Sequence, residues 1–378
     1  MKEVGKAFFL HIVMPLVYRF WCLRRRVQAK VLFLEIRYDG LSENLELLKQ
    51  NYDEAGYYIT ELFCLHTAEG GFGGYMKRCL SMAKALADAR LVYVDESCDV
   101  LAGLPIRKQT AVIQCWHACG AFKRFGHGLP GRMKGEYYGP YKLVTVSGKK
   151  VVPCYEDAMN QKSGIVKALG ISRTDVFFDR AFLQKAKENA QRLVPQAGNK
   201  KTILYAPTFR GNVGRAMAAP MPDLTQLKEK LGDDWMLLYR AHPAVAGKLS
   251  VPKGMEDFCV DVSKMGTTTE WMVFSDVCVT DYSSLIHEYS LLDKPIIFYV
   301  PDRDRYAEER GFYHTIEDLD VGPVCLDTQQ LAEAVLAVAG GETVPGKIKD
   351  RLAGFRAQFM DGCDGNATQR IMEAAEKL

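Results

Sequence analysis

Four short polar clusters interrupt otherwise apolar runs, and each stands where such a run stops. They are His117 in CWHACGAFKRFG (115–126), Thr208 and Arg210 in APTFRG, Arg240 and His242 in RAHP, and Thr280, Asp281, Ser283 and Ser284 in VTDYSS. An imidazole, with an ordinary pKa of about 6.5, suits proton removal from a hydroxyl nucleophile. A packed core histidine is the competing reading at position 117. Gly120 lets a backbone approach closely, and Lys123 supplies a point charge for an anion. Arg210, Arg240 and His242 could form a cationic wall that neutralises a transferring phosphoryl group, although an ordinary surface ion pair would also account for each arginine. Asp281 or Ser283 can cap the helix that follows, turning its positive end and two serine hydroxyls toward a phosphate or diphosphate. A plain helix cap explains the same residues. Glu288 lies about one and a half turns on and can reach ribose hydroxyls, as acidic residues do in nucleotide folds. His287 would then face another way, toward the surface or a packing contact.

Metal chemistry is disfavoured. Cys115 and Cys119 flank His117, but no second close Cys or His pair completes a four-ligand site. Eleven cysteines, odd in number and scattered through apolar runs, fit a reducing compartment better than a disulfide framework.

The elements that must position these clusters alternate. KVLFLEIRY, YYITELFCL, RLVYVDE, TAVIQCW and KLVTVS are strand-length apolar runs, as expected of parallel strands buried on both faces. LSENLELLKQNYDEAG and GGYMKRCLSMAKALADA carry helical periodicity between them, with Ser42 placed as an N-cap. After RAFLQKAKENAQRLV and the turn-rich PQAGNK the alternation restarts. TILYAP, WMLLYRAH, DVCVTD and PIIFYV read as strands, and helices are expected at roughly 223–232, 267–275, 282–292 and 328–339. The chain of 378 residues suits two domains. The predicted fold is α/β, with two Rossmann-like domains facing a cleft. Ligands in such sheets bind beyond the carboxyl ends of the strands, where all four clusters stand.

The predicted boundaries are a basic amphipathic segment at 1–28, a first Rossmann-like domain at 29–195, a second at 196–345, and a helical segment at 346–378 that could pack back on the first domain. The net charge of +3 is local in origin: residues 2–30 hold seven Lys or Arg against one acid, Glu3. Between them AFFLHIVMPLVY is apolar for 12 residues, short of the roughly 20 that a spanning helix needs. A signal peptide is disfavoured because a basic strand start follows. The pattern fits an interfacial helix whose aromatics enter the lipid boundary while RFWCLRRR meets anionic headgroups. The alternative is a helix packed on its own domain or on a partner.

Read together, YAPTFRGN (205–212), RAHP (240–243), DVCVTDYSSLIHEYSLLDKPIIFY (276–299) and RGFY (310–313) resemble the CDP-glycerol glycerophosphotransferase family of teichoic-acid synthesis. The likeness extends upstream through IQCWHACGAFKRFG and ALGISRTDVFFD and covers roughly residues 30–340. It implies a GT-B-like fold, a CDP-glycerol or CDP-ribitol donor, and an undecaprenyl-diphosphate-linked saccharide acceptor at the cytoplasmic membrane face. With the basic amphipathic segment, a peripheral protein on an anionic membrane surface is expected, with no nucleic-acid partner and compatible with a homo-oligomer. In this resemblance His117 matches the family's base and His242 the histidine that meets the donor phosphates. Ser283 and Ser284 match the phosphate-binding pair, and Glu288 stands where many members carry Asp. Some members read WHGTPLKK where this chain has WHACGAFKR.

The implied reaction is attack by an acceptor hydroxyl on the β-phosphorus of a CDP-alditol, with CMP leaving. His117 would take the proton, and His242, Arg210 and the helix end at Ser283 and Ser284 would hold diphosphate charge. No cofactor is demanded, although Mg²⁺ is compatible with an assay. With no extra amino-terminal domain and no tandem repeat, the chain reads as a minimal member, most simply a primase. A polymerase of the same family and a nucleotide-sugar glycosyltransferase on the same fold are the rivals, with an inactive membrane scaffold as a third.

Overall fold

Runs of Val, Ile, Leu, Tyr and Phe build two all-parallel six-stranded sheets in the computed structural model, which describes residues 2–56, 58–66, 71–129, 138–211, 215–248, 251–340 and 344–378. The first sheet holds β1 (Lys30–Glu35), β2 (Ile59–Cys64), β3 (Leu91–Val94), β4 (Ala111–Gln114), β5 (Leu143–Thr145) and β6 (Val166–Lys167), in the order β2-β1-β3-β4-β5-β6. The second holds β7 (Lys201–Tyr205), β8 (Trp235–Tyr239), β9 (Cys259–Asp261), β10 (Val277–Thr280), β11 (Ile296–Tyr299) and β12 (Val324–Cys325), in the order β12-β11-β10-β7-β8-β9.

Both orders reverse direction once. The first sheet switches between β1 and β3, and the second, which has the strand order of a dinucleotide-binding sheet, switches between β7 and β10. At such a point the crossover helices leave to opposite faces, and the diverging loops open a crevice at the strand carboxyl ends.

Two compact units carry the two sheets. One comprises residues 1–119, 125–175 and 361–378; the other comprises 120–124 and 176–360. In the first, Val31, Phe33, Tyr52, Tyr93 and Ile113 form the core together with Ile371 and Met372 of the helix Ala367–Glu376. Asp175 fixes the start of that helix, accepting from Ala367 N at 2.9 Å and Thr368 N at 2.8 Å. In the second, Tyr205, Leu227, Leu237, Phe258, Val279, Ile297 and Val335 are fully buried around the sheet. The helix Arg180–Leu193 belongs to the second unit, whereas the sequence placed it at the end of the first domain. The helix Val344–Phe359 also lies in the second unit.

The amino-terminal segment is one helix, Lys2–Phe8 and Met14–Arg24 joined by a π-helical turn at Phe9–Val13 just before Pro15. Met14 and Tyr18 are fully buried against the first unit. The Tyr18 hydroxyl accepts from Arg107 N at 3.2 Å, Arg107 Nη1 donates to Arg25 O at 3.1 Å, and Lys6 pairs with Asp99 at 2.7 Å. On the opposite side Phe8, Ile12, Leu16, Phe20 and Leu23 are exposed at helical spacing. Gly5–Arg24 is a helix of 20 residues, long and apolar enough to cross a membrane by length and composition, which the 12-residue apolar stretch broken by His11 and Pro15 understated. The face carrying Met14 and Tyr18 is packed on the first unit, and the other face is an exposed apolar stripe.

Candidate functional site

In the first unit the polar residues gather past β1, β3 and β4. Glu35, at the end of β1, folds its carboxylate back so that Oε1 accepts from the backbone N–H of Ile36, Arg37 and Tyr38 at 2.9, 2.9 and 3.2 Å. Burial pushes the Glu35 carboxyl above its ordinary value, opposed by those N–H groups and reinforced by the Asp95 charge. Asp95 Oδ2 accepts from Ser42 Oγ at 2.6 Å and Asn44 Nδ2 at 3.2 Å. Ser42 thus precedes the helix Glu43–Ala55 without capping it through its side chain, and its hydroxyl donates to Asp95 instead. Arg173 Nη1 bonds Asn44 Oδ1 and also donates to the His117 carbonyl at 2.8 Å.

His117 stands three residues beyond β4 with its side chain 36% exposed, so it is no core histidine. Its Nδ1 lies 2.8 Å from Glu96 Oε1, and the same oxygen lies 2.9 Å from Arg37 Nε. Trp116, in the left-handed region at φ 51°, sets its ring 4.4 Å from the imidazole. Burial pushes the Cys115 thiol well above its ordinary value.

Gly120 and Lys123 group with the second unit. Lys123 pairs with Phe312 in an antiparallel bridge, Arg124 N donates to Gly311 O at 3.2 Å, and Tyr313 N donates to Phe122 O at 2.9 Å. The AFKR and GFY stretches therefore form one small ladder. Phe122 packs its ring near Tyr282, Phe298 and Phe312.

The switch point between β7 and β10 is closed by Asp281. Its Oδ1 accepts from Thr208 N at 2.8 Å, Thr208 Oγ1 at 3.0 Å and Tyr282 N at 2.6 Å, and its Oδ2 accepts from Arg210 Nη1 at 2.8 Å. Arg210 also forks onto Asp302, Nε to Oδ2 at 2.6 Å and Nη2 to Oδ1 at 3.0 Å. Its guanidinium carbon sits 4.6 Å from the Tyr306 ring centre, and that ring stacks on Tyr282 at 4.0 Å. Burial alone would lower the Arg210 pKa, but Asp302 and Asp281 outweigh it and the net shift is upward. Two carboxylates on one buried guanidinium balance its positive charge within the unit. Arg240 differs: its acceptors are neutral, Thr268 Oγ1 at 3.0 Å and the carbonyls of Val262 and Met265 at 2.8 and 2.9 Å, so they orient the guanidinium without neutralising it. Thr280 is fully buried and donates to Ala206 O at 2.6 Å. Asn212, the last residue of the YAPTFRGN stretch, lies outside the described residues.

His242, Ser283 and Ser284 remain accessible. His242 is exposed, and its Nδ1 accepts from Ala244 N at 3.2 Å, which leaves Nε2 as the ring nitrogen carrying hydrogen in the neutral ring. Ser283 and Ser284 are half-buried at the start of the helix Leu285–Tyr289; Ser283 Oγ accepts from Leu285 N at 3.3 Å, and Ser284 precedes the helix without a side-chain cap. Glu288 is buried within that helix. His287 is fully buried, with Nδ1 3.0 Å from Ser284 O and rings of Phe355 and Phe359 at 5.2 and 6.2 Å. Of the two readings of His287, surface or packing, the structure shows the packing one.

Two doubly wound parallel sheets, with accessible histidine and serine groups beyond their strand ends, define an α/β fold of the GT-B-like class. The chain belongs to the family described as CDP-Glycerol:Poly(glycerophosphate) glycerophosphotransferase, which it matches over residues 16–377. It is 31% identical over 360 residues to the teichoic acid ribitol-phosphate primase of Bacillus spizizenii, covering 91% of this chain and 90% of the relative. It is also 32% identical over 305 residues to the teichoic acid poly(ribitol-phosphate) polymerase of the same organism, covering 79% of this chain but only 48%, about half, of that relative's length. A solved variant of the wall teichoic acid polymerase TagF, soaked with CDPG, shares the fold with a TM-score of 0.74 and 21% identity, over 96% of this chain and 93% of that one.

Proposed function

We propose that the protein transfers an alditol phosphate, glycerol phosphate or ribitol phosphate, from its CDP derivative to a hydroxyl of a lipid-linked saccharide in teichoic-acid synthesis. The observation that carries the reading is the state of the two accessible strand-end histidines. Each has Nδ1 turned to a partner within its own unit, His117 facing Glu96 and His242 accepting from Ala244 N, so Nε2 is the reacting nitrogen in both. A ring whose Nδ1 faces a carboxylate offers an Nε2 lone pair, as a base requires. A ring whose Nδ1 accepts an N–H offers Nε2–H, as a phosphate oxygen requires.

In the proposed step the acceptor oxygen forms a bond to the β-phosphorus, and the bond from that phosphorus to the bridging oxygen of CMP breaks, its electron pair leaving with CMP. The acceptor proton passes to His117 Nε2. His242 Nε2–H and the hydroxyls of Ser283 and Ser284 hold the diphosphate oxygens, where charge grows. Lys123 and Glu288 are proposed only as contacts to the donor, with no part in the bond changes. Arg210, Arg240, Thr208, Thr280 and Asp281 shape the ground on which the donor sits.

Glycerol against ribitol is left to the test, and likeness to the primase along nine-tenths of both chains supports single addition. The exposed stripe Phe8, Ile12, Leu16, Phe20 and Leu23 supports attachment to a membrane surface that would carry such an acceptor. The protein is to be incubated with CDP-glycerol or CDP-ribitol and a synthetic lipid-linked disaccharide. CMP release with a product heavier by one alditol phosphate is expected, and its loss in His117→Ala. Turnover of a UDP-sugar without CMP release would overturn the proposal.

A further inference from the structure

Glu96, which faces His117 Nδ1, has so far no role of its own in the reaction. Glu96 is the second residue past β3, at the switch point of the first sheet, and its side chain is 9% exposed. Its Oε1 lies between His117 Nδ1 at 2.8 Å and Arg37 Nε at 2.9 Å. Both Oε1 and Nδ1 are buried atoms within ion-pair distance but short of an aligned hydrogen bond, so a rotation of the ring or the carboxylate, without translation, would complete one.

The backbone around the pair is fixed from one side chain. Gln114, fully buried at the end of β4, donates from Nε2 to the Glu96 carbonyl at 3.1 Å and to the Tyr141 hydroxyl at 3.0 Å, while its Oε1 accepts from Trp116 N at 2.8 Å. The ends of β3 and β4 are thereby held in register. Arg173 fixes the His117 carbonyl from the other side at 2.8 Å. The left-handed backbone at Trp116 costs about 1 kcal/mol. In that conformation the residue turns the chain so that the imidazole meets Glu96.

We propose that Glu96 is a positioning residue for His117. It holds the neutral ring as the Nδ1–H tautomer, leaving the Nε2 lone pair outward, and it stabilises the imidazolium formed when Nε2 takes the acceptor proton. Arg37 pairs with the same carboxylate oxygen. The inference rests on His117 being the base, as read above. The charged and titratable groups around the ring are Glu96 and Arg37, Arg173 at its carbonyl, Asp95 through Asn44, and Tyr138 beside Trp116.

The decisive variant is Glu96→Gln, which keeps the shape, removes the charge and can offer an N–H to Nδ1, favouring the other tautomer. A fall in kcat of about 10²- to 10⁴-fold is expected, the range spanned by general-base catalysis and tautomer inversion, with KM for the CDP-alditol changed less than about twofold. Nitrogen NMR of the free protein reads the ring directly: Nδ1–H in the wild type, Nε2–H in Glu96→Gln. Glu96→Asp, with a carboxylate one methylene further off, should recover part of the lost kcat, and serves if the glutamine variant does not fold. Wild-type kcat together with an unchanged tautomer in Glu96→Gln overturns the proposal. Full activity in His117→Ala would instead overturn the assignment of the base, while the NMR result would still decide whether Glu96 sets the tautomer.

Discussion

A Cβ added to Gly120 would lie 2.0 Å from Nε2 of His287. Gly120 also sits at φ 68°, in the left-handed region. The glycine in WHACG is therefore fixed twice, by backbone conformation and by a buried ring. Since Gly120 and His287 belong to the second unit while His117 belongs to the first, this turn is where the chain leaves one unit's packing for the other's.

Gly120→Ala should destabilise the protein by about 2–4 kcal/mol, combining positive-φ strain with overpacking against a rigid ring. Adding His287→Ala should return part of that loss, because the double variant removes the clash but keeps the strain. Thermal melts of the two single variants and the double variant measure this. Strict additivity of the two losses would show that the ring and the glycine do not meet.

His287 also gives the fold a pH dependence. Burial, partly opposed by the Ser284 carbonyl and Glu288 and aided by His314, lowers its pKa from 6.5 to about 4. A depressed histidine pKa means that the unfolded chain binds the proton more readily than the folded one. Its contribution is complete above pH 6.5 and is lost as pH falls through the window toward 4. The loss is of order 3 kcal/mol at the acid end, from about 1.4 kcal/mol per unit. Urea unfolding of wild type and His287→Leu between pH 7 and 4 should show a steeper decline for wild type. Parallel curves would mean that another group carries the acid sensitivity.

Arg210 separates structure from chemistry. Asp281 is 1% exposed and depends on Arg210 for its countercharge. Arg210→Ala should therefore cost about 3–5 kcal/mol of stability, the range for breaking a buried pair. Arg210→Lys should recover only part, since one ammonium cannot reproduce the fork onto Asp302. Calorimetry decides: an unchanged melting temperature in Arg210→Ala with activity lost would restore the arginine to the donor site.

How much of this was legible follows from the length of each signal. Nine strands announce themselves as apolar runs, but β6, β9 and β12 are two or three residues long and leave no periodicity to read. The strand-end clusters were visible because parallel sheets place their polar residues past the carboxyl end. What each side chain does there was not visible, because residue type does not reveal partners. Arg210 and Arg240 look like ligand cations in sequence, yet their donors are taken by Asp281 and Asp302 and by backbone carbonyls. Ser42 looks like a cap and is a ligand of Asp95. Glu96 reads as the tail of RLVYVDE, and its signal in the sequence is two adjacent carboxylates directly after a buried strand.

The amino-terminal helix allows its two faces to be tested apart. Leu16 and Phe20 are exposed and flanked by exposed Arg19, Arg24 and Arg26, whereas Met14 is fully buried against the first unit. Burying a Leu or Phe side chain is worth about 1.5–3 kcal/mol, so Leu16→Ser with Phe20→Ser should weaken binding to anionic vesicles at least tenfold while leaving the melting temperature unchanged. Met14→Ala should do the reverse, costing about 2–5 kcal/mol of stability with the outer stripe intact. Vesicle sedimentation of both variants across salt concentrations separates the apolar contribution from the arginine contribution, since only the latter weakens with screening. If the Leu16 and Phe20 double variant sediments with vesicles as the wild type does, the stripe is not a membrane face.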